Sequence, residues 1–116
     1  MKRVKFEKLE KLDLGENKIR DISALENANF KELKSLVFDS NRIGNLNVFE
    51  KVDFKKLQYL MLYCIYMPDI SYLEGLKFEN LEILNIGCNH IVDISPLKDV
   101  NFKKLKELNI CYFGKS

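Results

Sequence analysis

The sequence predicts a short α/β solenoid: a right-handed superhelix with a concave parallel β-sheet and short helical segments on its convex side. Three observations predict it. First, apolar residues recur every 24 positions along nearly the whole chain. Phe6, Phe30, Phe54, Phe78 and Phe102 form one column, and Leu9, Leu33, Leu57, Leu81 and Leu105 a second. Leu12, Leu36, Leu60, Leu84 and Leu108 form a third, and Leu14, Phe38, Leu62, Ile86 and Ile110 a fourth. Second, stretches such as KLDLG and ILNIG alternate apolar and polar residues, the period of a half-buried strand. Third, one such unit cannot bury its apolar face alone, so units in phase must stack into a continuous core.

Counted from the first leucine as position one, each unit reads L-x-x-L-x-L-x-x-N-x-I, as in LEKLDLGENKI at 9–19 and LEILNIGCNHI at 81–91. The strand comes first, over the alternating residues. The chain then turns at Gly15 or Gly87 and passes Asn17, Asn41 and Asn89, where a buried amide can bond backbone groups of adjacent turns. Ile65 breaks that ladder in the third unit. Ser23-x-x-Glu26 and Ser71-x-x-Glu74 then read as capping boxes, with Asn47-x-x-Glu50 a weaker version. Ser95-Pro96 places proline at the first helical position. Each unit is thus a short parallel strand, a bend, and a helical segment returning to the next strand.

This pattern resembles the leucine-rich repeat family. The segments RDISALENANF, GNLNVFEKVDF, PDISYLEGLKF and VDISPLKDVNF resemble its internalin-like class, although that class usually has a unit shorter than 24 residues. The expected organisation is a single domain over 1–116, about four and a half repeats, with units near 6–29, 30–53, 54–77, 78–101 and 102–116.

Composition narrows the function classes. Nineteen basic residues against seventeen acidic ones give a net charge of +2, too balanced to announce a nucleic-acid or membrane partner. No apolar run approaches the roughly 18 residues of a membrane span, and the basic start is not followed by the apolar stretch of a signal peptide. Three cysteines without close pairing favour a reducing compartment, and there is no Asn-x-Ser/Thr sequon. A cytoplasmic location is the expectation, with a piece of a longer secreted protein as the other option.

Cys88, His90 and Asp93 lie within six residues and carry the side chains of thiol hydrolases and zinc sites. The repeat register argues otherwise. Cys88 falls in position eight with Glu16, Ser40 and Cys64, and His90 in position ten with Lys18, Arg42 and Tyr66, outward columns flanking the inward Asn. Asp93 aligns with Asp21, Asn45 and Asp69, where local turn bonding is the expected role. Stacking makes Cys64 and Cys88 neighbours, with Cys111 one position out of column and His90 on the same rim. Parallel neighbours point their side chains the same way, which suits neither a tetrahedral metal site nor good disulfide geometry. No cofactor, metal or catalytic residue is expected. A lysine row (Lys31, Lys55, Lys56, Lys103 and Lys104) is interrupted by Glu7, Glu32 and Glu79 and reads as a solvated face.

The concave surface is built from positions three, five and seven. Position three carries Lys11, Ser35, Tyr59, Ile83 and Glu107; position five carries Asp13, Val37, Met61, Asn85 and Asn109. Position seven carries Gly15, Asp39, Tyr63, Gly87 and Cys111. Tyr59, Met61 and Tyr63 are expected to be exposed together on one strand, with Val37, Ile83 and Asn85 beside them and polar residues on the outer repeats. An apolar-aromatic patch with a polar rim has the composition of a protein-binding hot spot. The resemblance implies the same: such repeats typically bind a protein or peptide on this face. The alternative is a structural building block, or part of a longer array, that self-associates through uncapped terminal repeats.

Overall fold

The computed structural model describes residues 6–76 and 78–110; Cys111 and its expected place on the concave face lie outside them. Five three-residue strands form one sheet in sequence order: β1 (Lys11–Asp13), β2 (Ser35–Val37), β3 (Tyr59–Met61), β4 (Ile83–Asn85) and β5 (Glu107–Asn109). All four pairings are parallel, and each aligns residues 24 apart, as in Leu36↔Leu60 and Leu60↔Leu84. The sheet ladder continues past the strand ends, where the Leu14, Phe38, Leu62 and Ile86 N–H groups each donate to a carbonyl of the next repeat.

Alternation decides which side chains go inward. The central leucine of β2, β3 and β4 is fully buried, while its two neighbours are half-buried on the opposite face. The first-leucine column, the position-six column and Phe30, Phe54 and Phe78 join these leucines in one core. The phenylalanine column stacks ring on ring. Phe6 lies 5.7 Å from Phe30, Phe30 lies 6.3 Å from Phe54, and Phe78 lies 6.5 Å from Phe102, each pair nearly parallel. Phe49 meets Phe54 edge-on at 5.1 Å, the favourable arrangement for an aromatic quadrupole. At the ends of the described array the same columns are open: Phe6 is 38% and Leu108 41% exposed.

The returning segments are single turns of 3₁₀ helix: η1 (Ser23–Asn27), η2 (Asn47–Lys51), η3 (Ser71–Gly75) and η4 (Ser95–Asp99). The capping boxes do not form. Ile22, Leu46, Ile70 and Ile94 occupy the cap positions and no side-chain cap bond is made. Instead Asp21, Asn45, Asp69 and Asp93 each accept the N–H of the residue two further on, at 2.8, 2.8, 2.8 and 2.9 Å. These Asx turns satisfy the N–H that leads into the tight 3₁₀ turn. The Ser23 and Ser95 backbone N–H groups hold the Asp21 and Asp93 carboxyls below the usual carboxylate range. Their stabilisation is therefore present above the unfolded titration range and is lost as pH falls through the lowered folded values. Asp93 thus has the turn role its register implies, and Pro96 sits buried at the start of η4.

Candidate functional site

The bend after each strand is organised by the position-nine asparagine. Asn89 is fully buried; its Nδ2 donates to the carbonyls of Leu62 (2.7 Å), Ile86 (3.0 Å) and Gly87 (3.1 Å). Its Oδ1 accepts the N–H groups of Ile65 (2.7 Å) and Met67 (3.3 Å). Asn41 repeats the arrangement against Leu14, Phe38, Asn17 and Ile19. Asn17, in contrast, is exposed and its amide donates only to the Gly15 carbonyl, so the inward ladder does not extend to the first repeat.

A second set of side-chain bonds shapes the concave face. Asp13 Oδ1 accepts the Gly15 N–H at 2.9 Å, and Asn85 Oδ1 accepts the Gly87 N–H at 3.0 Å. Position five in the third repeat is Met61, which cannot do this. There Asp39 reaches across from the second repeat and accepts the Tyr63 N–H at 2.8 Å. Burial pushes the Asp39 carboxyl up, while that N–H pulls the other way. In the third repeat this acceptor takes the place of the one that Met61 cannot supply.

The expected binding residues are brought together. Tyr59 lies between Ser35 and Ile83, and Met61 between Val37 and Asn85, in adjacent parallel strands. Their exposure differs from expectation. Tyr59, Met61, Val37, Ile83 and Asn85 are all half-buried, and only Tyr63, just past the end of β3, is exposed, at 42%. Parallel strands stand only about 4.8 Å apart, so side chains of one column cover each other's flanks. Tyr63 lies over Gly87: a Cβ there would come within 3.3 Å of its ring. Asn85 is largely a turn-holding residue through its bond to Gly87.

The rim thiols lie within electrostatic reach of the Tyr63 hydroxyl. The charge of an ionised Cys88, then that of Cys64, pushes the Tyr63 hydroxyl up. A hydrogen bond with Cys88, then burial, pushes the Cys64 thiol up. Both cysteines are unpaired and partly exposed. No cluster of three metal-ligating side chains occurs among the described residues. The lysine row is neutralised in part by the Lys56–Glu32 pair at 2.7 Å, while Lys104 donates to the neutral Asn80 amide at 2.9 Å.

Positions eight and ten are outward but not freely tolerant. Glu16, Ser40, Cys64 and Cys88, and then Lys18, Tyr66 and His90, all have φ between 53° and 60°. That left-handed region costs roughly 1–2 kcal/mol for a residue with a side chain and more for a β-branched one. In the second repeat the later left-handed residue is Gly44 instead. Between these two columns runs a groove of about 420 Å³, lined among others by Lys18, Arg42, Cys64, Tyr66, Cys88 and His90. The 24-residue spacing marks positions eight and ten only as outward columns, not as a groove. Their basic and aromatic content at position ten was the available signal.

A family model for leucine-rich repeats, in two copies, matches residues 7–51. The same 24-residue register runs on through β3, β4 and β5. Residues 7–51 thus match the leucine-rich repeat family, and the unbroken register carries the same repeat on to β5. No curated protein sequence gives a match to it. Leucine-rich repeats generally mediate protein–protein interaction and are typically non-catalytic. Among the described residues, no helix is long and apolar enough to cross a membrane.

Proposed function

We propose that this protein is a non-catalytic module that binds a protein or peptide on its concave face, centred on Tyr59, Met61 and Tyr63. The supporting observation is the clustering of these side chains with Val37 and Ile83 on β2–β4, flanked by Lys11 and Asp13 on β1 and Glu107 and Asn109 on β5. A central aromatic patch can be dried by its neighbours on contact, while a charged rim stays wet and contributes little. The unpaired thiols fit work in a reducing compartment such as the cytoplasm.

Peptides selected from a displayed random library provide the ligand for the test. Tyr59→Ala and Tyr63→Ala are each expected to weaken the selected peptide at least about tenfold. Lys11→Ala and Glu107→Ala are expected mainly to alter its salt dependence. Tyr63 is exposed, so its replacement should leave the melting temperature nearly unchanged; half-buried Tyr59 should lower it modestly. Binding that ignores both tyrosines refutes the proposed site.

The second reading is assembly through the ends, supported by the half-exposed Phe6 and Leu108 in otherwise buried columns. Sedimentation equilibrium separates the two. A monomer that binds peptide favours the concave face, and a concentration-dependent oligomer broken by Leu108→Glu favours the ends.

A further inference from the structure

We propose that the groove beyond the C-terminal ends of the strands binds an extended acidic peptide. This goes beyond the concave-face reading and does not rest on it. The groove holds about 420 Å³ and is lined by Lys18, Arg42, Tyr66 and His90 from position ten and by Cys64 and Cys88 from position eight. Two of these side chains are basic, and no carboxylate lines the groove. The described ion pairs are Lys34–Glu10, Lys51–Glu26, Lys56–Glu32 and Lys106–Glu82. Lys18 and Arg42 take part in none of them, so their charge is not neutralised by a described partner.

Geometry then distinguishes among anions. A compact phosphate site is commonly a nest of free backbone N–H groups. Here the N–H groups of Glu16, Ser40, Cys64, Arg42 and Gly44 all donate to carbonyls of adjacent repeats at 2.8–3.1 Å. Recognition must therefore come from side chains, and these are spread out. Position ten contributes one residue per repeat, about 4.8 Å apart, so the row from Lys18 to His90 spans about 14 Å. A single phosphate can span Lys18 and Arg42 but leaves Tyr66 and His90 without contact. An extended chain rising about 3.3 Å per residue crosses the whole row in four or five residues. Carboxylates on such a chain can meet Lys18 and Arg42 in turn, and the ring of Tyr66, 60% exposed, offers an apolar face beside Arg42.

The test titrates the ¹⁵N-labelled protein at low salt with hexaglutamate, hexaglutamine, inorganic phosphate and a single-stranded hexanucleotide. Hexaglutamate is expected to shift the amides of Lys18, Arg42, Tyr66 and His90, and hexaglutamine to shift none. Arg42→Glu should weaken hexaglutamate at least about tenfold, and the milder Arg42→Gln should weaken it in the same direction. Lys31→Glu makes the same charge change at the opposite end of β2 and should alter binding by less than about twofold. Tyr59→Ala, on the concave face, should leave hexaglutamate binding unchanged, which separates this site from the peptide site proposed above. Equal losses from Arg42→Glu and Lys31→Glu would show only a diffuse charge effect and overturn the proposal. So would absence of hexaglutamate binding, equal occupancy by inorganic phosphate, or tighter binding of the hexanucleotide than of the peptide.

Discussion

Asn89→Ala lowers the stability of the protein by about 3–5 kcal/mol, whereas Asn17→Ala costs less than about 1 kcal/mol. The two residues occupy the same position in their repeats, so sequence alone would rank them equally. Asn89 is fully buried between the third and fourth repeats and serves the Leu62, Ile86 and Gly87 carbonyls and the Ile65 and Met67 N–H groups. Truncation leaves these backbone groups without that partner in a place water does not reach, at about 1–3 kcal/mol for each one left unsatisfied. Some relaxation offsets part of the sum. Asn17 is exposed, and water replaces its single bond to Gly15. Urea denaturation of the two variants checks the contrast through the shift in midpoint at constant slope.

Leu84→Ala is expected to cost about 2–5 kcal/mol, because Leu84 is fully buried on β4 with a repeat on either side. Leu108→Ala, in the same column but 41% exposed on β5, should cost less than about 1 kcal/mol. Cys88→Ser, on the outward column, should change stability by less than about 0.5 kcal/mol. Thermal or denaturant melts give the ranking. A Cys88→Ser variant more damaged than Leu84→Ala would mean that the inward and outward columns are exchanged.

The columns carry most of what the sequence reveals of this fold. A strict 24-residue interval leaves one register for the strands, and that register places Leu36, Leu60 and Leu84 side by side. It also removes Cys88, His90 and Asp93 from consideration as a triad, since Asp93 belongs to the turn that holds the Ser95 N–H. Local details were less legible. Ser-x-x-Glu reads as a capping box for an α-helix, but the segments wind as 3₁₀ turns and the Asp or Asn two residues earlier takes the N–H instead. The exposure of Tyr59 and Met61 depends on how much of each flank the next strand covers, which alternation does not report. The position-ten groove depends on backbone with positive φ at Lys18, Tyr66 and His90, residues with no glycine to mark it. Its content was nonetheless visible as a column, Lys18, Arg42, Tyr66 and His90, once the repeats were aligned.

The concave-face assignment is tested most directly by intermolecular nuclear Overhauser effects between a selected peptide and a ¹³C-methyl-methionine-labelled protein. Met61 and Met67 lie in the same repeat, one half-buried on the concave face and the other fully buried in the core. The predicted result is a set of contacts from the saturating peptide to the Met61 methyl, with further contacts to the Tyr59 and Tyr63 rings and none to Met67. A saturated complex in which the peptide makes no contact with Met61 or either ring would contradict binding on this face.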